Sequence, residues 1–155
     1  MTQRIKFTET EKEAMSSLYP LNKYLSKSSV EKHLLDLIYF RVSQINGCAF
    51  CLDMHSKDLR AMGESEQRLY LLSAWREAPF YSNRERAALA WAEALTKLES
   101  GLVPDEIYEE ARKKFSEKEL VDLTLAVTTI NTYNRINIAF GADTGSYKVG
   151  QFDQN

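Results

Sequence analysis

Cysteine and histidine are scarce in this chain of 155 residues, which has two of each. Two cysteines cannot staple a scaffold. In a reducing cytosol a CxxC pair is redox-active or metal-binding rather than structural. Prolines number three and glycines six, in a chain that is 44% hydrophobic and 27% charged. That composition excludes extended disorder away from the ends. No charge of one sign dominates: the net charge is −2, without a basic stripe. Nucleic acid and anionic membrane are therefore poor partners. No apolar run approaches the roughly 18 residues that a membrane span needs. The opening MTQRIKFTETEKE has no apolar signal segment. The expectation is a cytoplasmic protein of one domain over residues 1–155, with a core of about 8–140 and a loosely ordered tail at 141–155.

Alternating β-branched runs are also missing, and helix starts and stops recur. The pattern predicts an all-α fold of about seven helices. Thr8 with Glu11 reads as a capping box for a helix to about Ser26, kinked by Pro20. Ser28 or Ser29 would cap a second helix, from Val30 to about Ile45. Asn46-Gly47 breaks the pattern, and a third helix runs to Gly63. Ser65 caps a fourth, ending before Pro79. Ser82 with Glu85 opens a fifth, to about Glu99. Pro104 suits the first turn of a sixth, ending near Phe115. Ser116 with Glu119 caps a seventh, to about Phe140. The second and seventh are apolar almost all round, which places them in a core or an oligomer interface.

The scarce residues are gathered in one window, NGCAFCLDMH, which holds Cys48, Cys51 and His55. At about 100° per residue, Cys48, Cys51, Leu52, His55, Leu59 and Met62 share a helix face. Asp53, Ser56, Lys57 and Arg60 share the other, with Asp53 and Lys57 as an i,i+4 pair. A helix start lowers a thiol's pKa through its free N–H groups and dipole. Cysteines three apart can close a disulfide across one turn and reopen it. His55, one turn beyond Cys51, can take or return its proton. Asp36 interrupts the apolar run LLDLIYF, where a carboxylate is costly unless paired or protonated. With His55 it would form a proton relay to the thiols.

Other readings stand beside this one. Cys48, Cys51, His55 and Asp36 could ligate zinc, although a structural site wants four firm ligands. The cysteines could be inert core residues. Asp36 could face solvent or pair with Lys32. In NTYNRINIAF, the residues Asn131, Asn134, Arg135 and Asn137 could line a pocket, meet a partner subunit, or simply lie on the helix surface.

The stretch LLDLIYFRVSQINGCAFCLDMHSKDLRAMGESEQRLYLLSAWREAPFYSNRERAALAWAEALT resembles the alkylhydroperoxidase (AhpD-like) branch of the carboxymuconolactone decarboxylase superfamily. The likeness is strong over roughly residues 30–100 and weaker in TTINTYNRINIAF. It implies an all-helical, oligomeric protein, a homotrimer or homohexamer. It also implies hydroperoxide reduction at the CxxC pair, with a histidine and an upstream carboxylate. Cys48, Cys51 and His55 match the motif position for position. Asp36 stands where the family has glutamate, one methylene shorter. The partners implied are a hydroperoxide and a dithiol reductant, and no cofactor or metal is called for.

Two arguments compete over which sulfur attacks. The dipole, worth up to about 2 kcal/mol, favours Cys48. A positioned base, worth roughly a hundredfold or about 3 kcal/mol, favours Cys51. The resemblance also favours Cys51, leaving Cys48 to resolve the sulfenic acid. The alternatives are a non-enzymatic redox-sensing assembly protein, or a decarboxylase-like enzyme indifferent to the cysteines.

Overall fold

A computed structural model describes residues 3–152. Among them every regular element is helical. Three short helices come first: α1 (Phe7–Thr10), α2 (Lys12–Ser16) and α3 (Tyr19–Leu25). Then follow α4 (Lys32–Asn46), α5 (Ala49–Ala61), α6 (Glu66–Leu71), α7 (Asn83–Lys97), α8 (Asp105–Arg112) and α9 (Glu117–Phe140). Single 3₁₀ turns follow α6 and α7. No helix among these residues is long and apolar enough to cross a membrane.

α4 is the centre of the fold, because it is apolar all round. Leu34, Leu35, Ile38 and Val42 pack with Ala88 and Ala92 of α7 and with Leu123, Val127 and Ile130 of α9. On its other side Leu37 and Phe40 meet Leu59 of α5, Leu72, Trp75 and Leu89. Each such fully buried aliphatic side chain contributes about 1.5–3 kcal/mol. The apolar surface of α4 is therefore covered largely within the chain itself.

Capping boxes start the two other long helices. Ser82 and Glu85 satisfy each other's backbone N–H groups at α7, and Ser116 and Glu119 do the same at α9. Ser65 accepts from the Arg68 N–H at the start of α6. The first expected helix is three pieces instead. Thr8 lies inside α1 and caps nothing. Pro20 sits in the first turn of α3, where its missing N–H costs nothing. Neither Ser28 nor Ser29 caps α4, which begins after Glu31 without a side-chain cap.

The segment after α9 crosses the outer face of α5. Lys57 Nζ donates to the Gly145 and Tyr147 carbonyls, at 3.3 and 3.1 Å. The Gly145 N–H donates to Asp53 (3.1 Å), and the Tyr147 hydroxyl donates to Asp58 (2.8 Å). The expected Asp53–Lys57 pair forms at 2.9 Å, and both groups also bond to this strap. Residues 153–155 of the expected tail lie outside the described residues.

Candidate active site

The centre is built where α4 gives way to α5. Gly47 takes φ +70°, a left-handed conformation that side chains resist. The Gly47 and Cys48 N–H groups both return to the Ser43 carbonyl. The chain then enters α5 with Cys48 as the extended N-cap, one residue ahead of the expected first turn. Cys51 follows within the first turn and His55 one turn later.

Cys48 and Cys51 are free thiols, each about 1% exposed. Their sulfurs are in direct contact across the first turn of α5. That contact with Cys51 is the main cause holding the Cys48 thiol down at about 7, against the cost of burial; the Cys51 backbone N–H and the Asn134 and Asn137 amides add to it. The same contact, with burial, pushes Cys51 up. The pair thus parts with one proton readily and holds the second, as coupled sites do.

His55 and Asp36 are both buried, and His55 Nδ1 lies 3.6 Å from Asp36 Oδ1. That gap exceeds a direct hydrogen bond. Both ring nitrogens and Asp36 Oδ2 are buried without a hydrogen-bond partner. The Tyr39 ring lies against the imidazole, with centroids 5.3 Å apart and planes at 42°. Burial, then the charge of Asp36, pushes the Tyr39 phenol up, so it keeps its proton.

Behind the sulfurs lies a set of amides. Asn137 Nδ2 donates to Cys51 Sγ (3.3 Å). Asn134, with no exposed surface, donates to Ser43 Oγ (3.0 Å). Asn46 Nδ2 donates to both Asn131 Oδ1 and Asn134 Oδ1, each at 2.9 Å. Asn131 in turn donates to Thr96 Oγ1 (3.1 Å).

The four sequence candidates form two pairs, Cys48 with Cys51 and Asp36 with His55. Asp36 faces inward and does not pair with Lys32. Met62, expected on the inner face, is exposed. Arg135 is exposed and donates back to Asn131 rather than entering the centre. Three contributors escaped the sequence reading: Tyr39, Ser43 and Asn46. Asn46 signalled itself only as a helix stop. Among the described residues no group of three or more His, Cys, Asp or Glu side chains is arranged to hold a metal ion.

The chain is an all-helical protein with a buried dithiol at the start of α5 and a buried histidine–carboxylate pair on α4 and α5. The sequence model of the carboxymuconolactone decarboxylase family matches residues 12–94, and the chain belongs to that family. It is 48% identical over 141 residues to the uncharacterized protein YdfG of Bacillus subtilis, covering 91% of this chain and 96% of that one. Its fold is similar to a crystal structure from Agrobacterium tumefaciens, a protein of unknown function for which a role as the antioxidant defence protein AhpD has been suggested. The TM-score is 0.90 at 41% identity, covering 94% of this chain and all of that one. It is also similar to an uncharacterized peroxidase-related protein from Silicibacter sp. TM1040, with a TM-score of 0.77 at 25% identity, over 90% of this chain and 74% of that one.

Proposed function

We propose that this protein is a dithiol peroxidase of the AhpD-like type, reducing hydroperoxides at Cys51 and Cys48. The observation that carries this reading is the sulfur pair: two free, buried thiols in direct contact at the start of α5, with His55 one turn further along the same helix. In the first step the Cys51 thiolate attacks the terminal oxygen of the hydroperoxide. An S–O bond forms, the O–O bond breaks, and the alkoxide leaves to take a proton by way of His55. In the second step Cys48, as thiolate, attacks the Cys51 sulfenic acid. The S–S bond forms, and the departing hydroxide is protonated to water. Two thiols and one hydroperoxide become one disulfide, one alcohol and one water. An external dithiol then reduces the disulfide by exchange.

Charge and position single out different sulfurs. The contact between the sulfurs favours the first negative charge on Cys48, at the helix cap. Cys51 lies nearer His55 along the helix, and Asn137 donates to its sulfur. A proton passed from Cys51 to the adjacent Cys48 sulfur makes Cys51 the attacker. The relay from His55 to Asp36 works through a water, or after the two close by a few tenths of an ångström.

The test is peroxide consumption by purified protein, with and without dithiothreitol. Repeated turnover with reductant, abolished in Cys51→Ser, is the expected result. A single stoichiometric oxidation without turnover would leave a redox-sensing assembly protein instead. Activity on a lactone substrate that survives loss of both cysteines would favour the decarboxylase-like reading.

A further inference from the structure

The amides of α9 answer a question that the thiol pair leaves open. For Cys51 to attack it must become a thiolate, in a site where both sulfurs are almost wholly buried. A buried thiolate needs donors or a nearby cation. Among the described residues no lysine or arginine hydrogen-bonds either sulfur. The donor that reaches Cys51 from outside the pair is Asn137 Nδ2, at 3.3 Å.

Its neighbour is held in one orientation by its own contacts. Asn46 Nδ2 occupies the Asn134 Oδ1 (2.9 Å), and Asn134 Nδ2 meets Ser43 Oγ (3.0 Å). The Asn134 amide therefore cannot flip without breaking both bonds. Asn134 and Asn137 lie three apart on α9, on the side that meets the α4–α5 junction. Both amides are costly to bury unless bonded; Asn134 is taken up by Asn46 and Ser43, and Asn137 is the one whose N–H reaches a sulfur.

We propose that Asn137 is a catalytic residue of the dithiol centre, whose amide N–H holds the negative charge of the Cys51 thiolate, and that Asn134 is a positioning residue that fixes the junction against which it works. The amide makes a buried Cys51 thiolate attainable; the order in which the two sulfurs act is set by position. The amide's role rests on the peroxidase reading only for what the thiolate attacks. Both amides favour the ionised form of each sulfur, which agrees with this role.

The experiment uses Cys48→Ser, which leaves Cys51 as the one thiol in the chain. Iodoacetamide alkylation is followed against pH, with and without Asn137→Leu. Loss of the amide is expected to raise the alkylation midpoint by about one pH unit and to slow reaction at pH 7 about tenfold. Asn137→Ser, smaller and polar, carries the same test where the leucine variant does not fold. Asn134→Ala is expected to shift the midpoint in the same direction by a smaller amount. An unchanged midpoint in folded Asn137 variants overturns the proposal, and an unchanged midpoint in Asn134→Ala removes the positioning role. Alkylation needs no peroxide. A shifted midpoint in a protein that consumes no peroxide would sink the peroxidase reading and leave the amide's hold on the sulfur standing.

Discussion

Gly47 is a single residue on which the whole centre turns. Its left-handed φ lets α4 stop and α5 start within two residues, and so brings Cys48 to a helix cap. Beyond it, the roles of the two sulfurs are separable by trapping. Cys48→Ser should still form a dimedone-reactive sulfenic acid at Cys51, in one stoichiometric turnover. Cys51→Ser should form none at Cys48 at a comparable rate, and rapid labelling there would reverse the roles. His55→Ala should slow the first oxidation while still permitting slow disulfide formation. In the wild type, thiol reactivity should climb as pH rises through about 7, not about 9, because the Cys48 thiol is held down by its contact with Cys51. The cysteines, His55 and Asp36 were legible in the sequence as rare or misplaced residue types. Asn134 and Asn137 were visible only as polar interruptions with no stated direction. Tyr39 and Ser43 were invisible, because a tyrosine or a serine in a helix carries no sign of what it will touch.

At the scale of elements, local rules worked where the determinants are local. The Ser82/Glu85 and Ser116/Glu119 boxes each lie within four residues and start their helices as expected. The Thr8/Glu11 pattern has the same spacing and fails. The first three helices are shaped instead by distant contacts: Asn22 with Tyr133, Tyr24 with Asp122 and the Arg4 N–H with the Phe140 carbonyl. Such pairs are unreadable before the fold is known. The α9 box makes a quantitative prediction. Ser116→Ala should cost about 1 kcal/mol, or about 3 °C in Tm for a domain of this size. The Glu119 carboxyl is held down at about 2, first by the Ser116 backbone N–H and then by Arg84. A folded-state pKa below the usual 4.5 adds stability that is fully present above that value and is lost as pH falls toward 2. Urea denaturation between pH 5 and about 2.5 should show this loss in the wild type and a flatter profile in Glu119→Gln.

The whole molecule keeps α4 for itself but leaves other apolar groups outside. Leu102 is 69% exposed and Val121 58%, and Ile138 is also open. Single exposed apolar side chains are ordinary on a monomer and do not by themselves mark association. The family resemblance leads to the expectation of a homotrimer or a homohexamer. Sedimentation at micromolar concentration should show one of these, and a stable monomer would refute it. The burial of the sulfurs has a consequence of another kind. With each cysteine about 1% exposed, reaction with a reagent is expected to require local opening of the packing around them. The protein is then a sieve whose mesh is set by its own opening equilibrium, and small and bulky oxidants would be sorted by time as well as by affinity, much as solvent sorts amide protons in hydrogen exchange.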